Sequence, residues 1–341
     1  MNDREKLIEE LSLEMAINKE LCKLSLHHFI QSTWHIVEPI TPFVNGWHIE
    51  AICDHLQHCS DFQIKKLIIC MPPRHAKSLI ASVFFPAWLW AREQTYGARI
   101  IAATYSHELT IRDAIKMRDI VSHNDYRSLF NPSWTFKDDQ NQKRRFSNSC
   151  GGFRFSTSVG GTMTGEGGDY IIVDDPLSAK LAQSELERAK ALNWWKTTMS
   201  TRANDPNRIS RIMIMQRLHE KDLVGELIED GGWERLILPA EYLPKSKMIS
   251  MTSLNWKDPR TEENELLWPE RFDRNAIDQL KIDLGSTDSS SQLQQDPRPG
   301  EGGLFKRQWW KHTDKTPSDI IEIVQFWDTS QKHGLTTDFS V

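Results

Sequence analysis

Two short stretches combine charged and hydroxyl side chains in an order that suits phosphate chemistry. The first is MPPRHAKS, residues 71–78. A lysine–serine pair at the mouth of a helix is what a phosphate-binding loop requires. There the backbone N–H groups of His75, Ala76, Lys77 and Ser78 can wrap a β-phosphate at the helix N-terminus. Lys77 neutralises the β/γ charge and the Ser78 hydroxyl holds magnesium. Met71 and Ala76 stand where this loop usually has glycine, and the Ala76 methyl crowds the closest approach of backbone to phosphate. Pro72 and Pro73 stiffen the entry to the loop.

The second stretch is DYIIVDDP, residues 169–176. Apolar residues followed by two carboxylates describe a strand that delivers acids to the carboxyl edge of a sheet, where the phosphate loop also opens. Asp174 is expected to bind the magnesium carried by Ser78, and Asp175 to orient or deprotonate an attacking water. A third segment, IMIMQRLHEKDL (212–223), ends a strand in Gln216-Arg217 at the same edge. Such a pair can sense a γ-phosphate; its plain alternative is a strand followed by a helix that Glu220 and Asp222 start favourably. A fourth, IVQFWDTSQK with TTDFSV (323–332 and 336–341), has a strand-end acid, Asp328, with Asp338 in support. It resembles the opening of an RNase H-like nuclease, in which Asp328 would be one ligand of a divalent-metal site.

These residues must be positioned by alternating strands and helices. Residues 1–60 read as helical, with Trp47, Ile49, Ile52 and Leu56 at helical spacing. Strands are predicted at Lys66–Met71, Arg99–Tyr105, Gly152–Ser158, Tyr170–Val173 and Ile209–Met215, and helices at Ser78–Arg92, His107–Ser122 and 183–200. Pro86 predicts a kink. The alternation implies an α/β fold with a mainly parallel, doubly wound sheet flanked by helices. Residues 244–264 hold no periodic apolar set, 285–303 read as a turn-rich connector, and Ile321–Trp327 as a further strand. The expected domains are a helical segment over 1–60, an ATPase core over 61–243, a linker subdomain over 244–304 and the first nuclease strands over 305–341.

A length of 341 residues allows two compact domains. No apolar run approaches the ~20 residues that span a bilayer, and the acidic start MNDREKLIEELSLEM is not a secretory signal; a cytosolic protein is expected. A net charge of −5 does not advertise nucleic-acid binding, so any DNA contact must come from a small patch. Five scattered cysteines lack zinc-ligand spacing and read as buried or free thiols.

Taken together, these segments resemble the large terminase subunits of tailed phages and prophages. GWHIEAICDHLQ resembles the family's adenine-side segment, MPPRHAKS its Walker A loop, STSVGGTMTGEGGDYIIVDDP the run into Walker B and MQRLHEKDLVGEL its coupling motif. LLWPERF and SSQLQQDPRPGEGGLFK resemble the stretch joining motor to nuclease, and QFWDTSQK the first nuclease motif. The resemblance covers the chain from about Ser25 onward. It implies a P-loop ATPase that uses ATP and Mg2+, forms a homo-oligomeric ring in the bacterial cytoplasm, and threads double-stranded DNA into a procapsid. A portal protein and a small terminase subunit would be its partners. It also implies that Arg74 stabilises the γ-phosphate. Glu166 stands where relatives often carry arginine, and the remaining nuclease acids would fall beyond Val341, so no DNA cleavage is expected of this chain. Two other readings stay open at this point. One is a catalytically weakened fragment that serves as a binding or assembly module. The other is a different P-loop motor such as a helicase, which the absence of a second nucleotide-sized α/β unit over 240–341 disfavours.

Overall fold

Three consecutive sheet strands are apolar at nearly every position because both of their faces are covered. In β1 (Lys66–Cys70), Leu67 and Ile69 point into one hydrophobic cluster while Ile68 and Cys70 point into another on the opposite face. The same alternation divides Tyr170 and Ile172 from Ile171 and Val173, and Ile212 and Ile214 from Met213 and Met215. The period-2 geometry of a strand assigns each side chain to its layer. A computed structural model describes residues 3–298 apart from 162, 164 and 245–249, together with 322 and 324; side chains of 138–141 fall outside the description.

The chain begins with α1 (Asp3–Leu24), α2 (Leu26–Val37) and α3 (Trp47–Ser60), and then enters β1. After β1 come α4 (Lys77–Leu79), a π turn (Ile80–Phe84) and α5 (Phe85–Leu89), then β2 (Arg99–Thr104), α6 (His107–Ser122) and α7 (Asn124–Phe130). An edge of β3 (Phe136–Asn141) and β4 (Arg145–Asn148) leads to β5 (Phe153–Ser158) and β6 (Tyr170–Asp174). The rest comprises α8 (Glu185–Trp194), β7 (Ser210–Met215), α9 (Leu223–Asp230), β8 (Glu234–Ile237) and α10 (Arg274–Asp288). The eight strands lie in the order β3-β4-β5-β2-β6-β7-β1-β8. All neighbours from β5 to β8 run parallel, and only β3/β4 and β4/β5 are antiparallel. This is the mixed α/β architecture that the alternation of strands and helices implies.

The helix after β1 widens into a π turn just ahead of Pro86. Pro86 has no N–H for the carbonyl of Ser82 four residues earlier, and the chain forms a π turn just before it. The Ser82 carbonyl finds another donor, the fully buried guanidinium of Arg154 on β5, at 2.5 Å. A buried arginine thus satisfies an acceptor that the proline leaves open.

Beyond β8 the chain is more regular than the connector reading of 285–303 allows. Asp273 caps α10 by accepting the Ala276 N–H at 2.8 Å. Ile277, Leu280 and Leu284 share one side of α10 and pack with Ala240, Leu266 and Leu293. Gly285 (φ 72°) breaks the helix, and a π turn follows at Ser289–Leu293. No named helix or strand occurs among the described residues of 250–264. Residues 1–298 form one compact unit and 299–341 another. Most of the second unit, including Asp328 and Asp338 and nearly all of the strand predicted at 321–327, lies outside the described residues. No described helix is long and apolar enough to cross a membrane.

Candidate functional site

The sheet brings the two sequence stretches to one edge. β7 lies between β1 and β6; Cys70, the last residue of β1, pairs with Met215, and Asp174, the last of β6, pairs with Ile214. The loop after β1, the acids after β6 and Gln216 after β7 therefore emerge side by side at the carboxyl ends of parallel strands.

Residues 71–76 carry the chain from β1 to α4 through two left-handed residues, Arg74 (φ 63°) and Ala76 (φ 61°). Ala76 is the N-cap of the helix and offers it no side-chain hydrogen bond. Its methyl thus occupies a conformation that glycine adopts freely. His75 is buried and stacks on Phe272, with ring centroids 4.6 Å apart and planes 12° apart. Its Nδ1 lies 2.9 Å from the Pro73 carbonyl, which requires a proton on Nδ1. Burial, helped by the charge of Lys77, pushes its pKa down to about 4, so the imidazole is a neutral anchor for the loop. Lys77 opens the helix and is buried; its ammonium donates to the Pro72 carbonyl at 3.4 Å. Arg74 is exposed and makes no ion pair among the described residues.

The Ser78 hydroxyl donates to Asp174 Oδ1 at 3.1 Å, and Ser82, one turn on, donates to Oδ2 at 3.5 Å. Burial raises the pKa of Asp174 to about 8; the charges of Asp175 and Asp113 add to the rise, while Lys77 and the Ser78 hydroxyl oppose it. A buried carboxylate that gains this much from a proton also gains from a metal cation. Asp175 is left-handed (φ 42°) and stapled between strands: its N–H donates to Ile214 at 2.8 Å and its carbonyl accepts the Tyr105 N–H at 3.1 Å. Its Oδ1 accepts the Gln216 N–H at 3.3 Å, and its second oxygen has no hydrogen bond among the described residues.

Gln216 and Arg217 have different surroundings. Oε1 of Gln216 is buried without a partner among the described residues. Arg217 is committed elsewhere: its Nε donates to both oxygens of the buried Asp222 at 3.0 and 2.9 Å, and Nη2 to the carbonyls of His219 and Glu220. Asp222 also caps α9, accepting the Gly225 N–H at 2.8 Å. The plain reading of this segment holds for Arg217, whose guanidinium closes its own turn. Glu166 is ion-paired with Arg145 on β4.

A cleft of about 330 Å³ opens beside the loop, lined by Trp34 on α2, by Glu38 and Thr41 after it, by residues 76–79, and by Arg74, Arg112, Lys116 and Arg271. Its wall is strongly cationic. Glu38, its one acid, is bonded to Lys116 at 2.7 Å, and Arg112 is held by the buried Asp113 at 2.8 Å. Arg271 lies over the Trp268 ring and, like Arg74, has no ion-pair partner among the described residues. Arg112, Lys116 and Arg271 were not legible as site residues, because α6 shows only an ordinary amphipathic pattern and Arg271 sits in a segment without periodicity. From the segment 46–57, His48 on α3 packs against His75 and Trp268.

Neither family models nor curated proteins give a match to this chain. Among solved structures, it is similar to the large terminase of bacteriophage HK97, seen by crystallography. The two share 13% identity at a TM-score of 0.43, over 77% of this chain and 54% of that one. The chain thus spans about half the length of that terminase.

Two outcomes follow from this geometry. A left-handed alanine costs about 1–2 kcal/mol, and glycine gives back about 0.4–1 kcal/mol through unfolded-state entropy. Ala76→Gly should therefore raise stability by about 0.5–1 kcal/mol in urea denaturation; a loss of stability would contradict the strain. For Asp174, the folded carboxyl holds its proton more tightly than the ordinary unfolded one, near about 3.9. Between about pH 4 and about pH 8 the folded state thus binds more protons, and stability falls as pH rises through that window. Asp174→Asn removes this penalty. Without divalent metal, its melting temperature should exceed that of the parent by a margin that grows from about pH 5 to about pH 9. A margin independent of pH would show that Asp174 carries no such cost.

Proposed function

We propose that this chain is the ATP-hydrolysing motor of a viral DNA-packaging machine of the large-terminase kind. The observation that carries the reading is the Ser78 hydroxyl 3.1 Å from Asp174, at the head of a helix that Lys77 opens, beside a cationic cleft. Segments 96 residues apart supply the hydroxyl and the acid, as a nucleotide–metal site demands. The order of the sequence motifs supports the same reading.

In this mechanism the main-chain N–H groups of residues 75–78 and the Lys77 ammonium receive the β- and γ-phosphates of ATP. Ser78 and Asp174 are the residues that would hold Mg2+, which when bound neutralises phosphate oxygens and the developing charge of transfer. Arg74, unpaired and exposed on the loop, lies within the same cleft wall and supplies charge to the γ-phosphate. Asp175 presents its unbonded carboxylate oxygen to a water and takes up the proton as the water attacks. Gln216 lies between the loop and the acids, where its unpartnered oxygen senses the change. The signal has a physical route outward: the Arg217 N–H donates to Oε1 of the fully buried Gln295 at 2.9 Å, and Ala240 donates to Leu293 at 2.8 Å. β7 is thereby tied to the segment that leaves the first compact unit.

The reading carries with it double-stranded DNA as the translocated polymer. Its other partners would be a homo-oligomeric ring of this chain, a small terminase subunit and a portal on a procapsid, in the bacterial cytoplasm. Asp328 would belong to the nuclease part of such a protein. A second reading, an assembly module with little turnover, is favoured by one feature, the left-handed methyl of Ala76 where phosphate approaches closest.

Magnesium-dependent ATP hydrolysis by the purified chain tests the proposal. Lys77→Ala should lower turnover by about 10²–10³-fold, the usual cost of losing one transition-state donor, with the circular dichroism of the parent retained. A folded Lys77→Ala protein that hydrolyses ATP at the parental rate would overturn the mechanism. Absent turnover in the parent that returns in Ala76→Gly would favour the second reading.

A further inference from the structure

On the outer side of the α2–α6 wall, three exposed side chains converge from two parts of the fold. His35 lies in the last turn of α2; His123 caps α7, and Asp125 lies in its first turn. His35 Nε2 stands 2.9 Å from Asp125 Oδ2, and His123 Nδ1 stands 3.6 Å from the same oxygen. One donor atom from each residue lies within 4.8 Å of the other two. In a tetrahedral site with zinc–ligand bonds of about 2.0–2.2 Å, donor atoms are about 3.3 Å apart. The observed spacings bracket that value, so small side-chain rotations suffice.

Both nitrogens are engaged in the metal-free protein: His123 Nδ1 accepts the Asp125 N–H at 3.2 Å, and His35 Nε2–H donates to Asp125 Oδ2 at 2.9 Å. An ion takes the place of the first bond and of the His35 proton, which metal binding releases. The two imidazole rings stand nearly perpendicular, 6.0 Å apart at 83°, so they approach from different directions, as a tetrahedral centre asks. Two imidazoles and one carboxylate suit a borderline divalent ion such as Zn2+ and give little preference to Mg2+, which selects oxygen ligands.

We infer that His35, His123 and Asp125 form a transition-metal site, with zinc the best-matched ion and water completing the coordination. The site does not depend on the nucleotide-binding reading. An ion there cross-links α2 to the α6–α7 junction. Trp34 and Glu38 flank His35 and line the phosphate cleft, as do Arg112 and Lys116 on α6, so the metal braces one wall of that cleft from outside. The occupied site is structural: it tightens the packing of two helices and takes part in no bond-making.

The test is calorimetric titration of the full chain with ZnCl2 in excess Mg2+, with thermal melts in parallel. The parent should bind one Zn2+ that Mg2+ does not displace, and its melting temperature should rise with Zn2+. His35→Gln and His123→Gln should each weaken binding at least about tenfold, since even outer partners of a metal site cost that much. In both variants the melting temperature should no longer rise with Zn2+; His123→Gln also gives up the bond that caps α7, so its binding is read at a temperature where circular dichroism shows it folded. Cys150→Ser should bind as the parent does, since Cys150 is the exposed thiol among five. No Zn2+ binding by the parent, or binding that survives in both histidine variants, would overturn the site. So would a loss confined to Cys150→Ser.

Discussion

The contact between the Ser78 hydroxyl and the buried Asp174 carboxylate joins the two halves of the site. Asp174 can sit there ionised only at a cost, because burial and two neighbouring acids press it toward its protonated form. What makes the position tolerable is the set of groups around it: two serine hydroxyls one helical turn apart, and the ammonium of Lys77 nearby. Those groups come from one helix, so the whole site depends on that helix leaving β1 at the right angle and height.

The helix is held by features that have no direct part in phosphate chemistry. Its start relies on two left-handed residues and on His75, which clamps the loop by stacking on Phe272. Its second turn is widened ahead of Pro86, and Arg154 reaches from β5 through the core to bond the Ser82 carbonyl. Ser82 thus touches Asp174 through its hydroxyl and Arg154 through its carbonyl. A charge buried in the core and an acid at the sheet edge are thus linked through one residue.

Much of this was legible in the sequence, for physical reasons that differ by element. β1, β6 and β7 are buried on both faces, so they appear as continuous apolar runs, and the residues that follow them form the candidate site. β3 was not visible, because FKDDQN has neither alternation nor an apolar run and is a strand only by pairing with β4. α10 was not visible, because its packed apolar set, Ile277, Leu280 and Leu284, is only three residues wide. The role of Arg217 could not be read from its position beside Gln216, since it turns on a partner, Asp222, that a helix cap places beside it. The cationic wall was invisible for a similar reason. Arg112, Lys116 and Arg271 belong to different elements, and only the fold makes them neighbours.

The central claim is that Ser78 and Asp174 form a cation site that serves a nucleotide held on the adjoining loop. Calorimetric titration of the chain with ATP, once with Mg2+ and once with excess chelator, addresses that claim without requiring turnover. The account predicts that ATP binds distinctly tighter with Mg2+ and that the gain disappears when Ser78 is replaced by alanine. Equal affinity with and without Mg2+, or a magnesium effect untouched by the loss of the Ser78 hydroxyl, would contradict it.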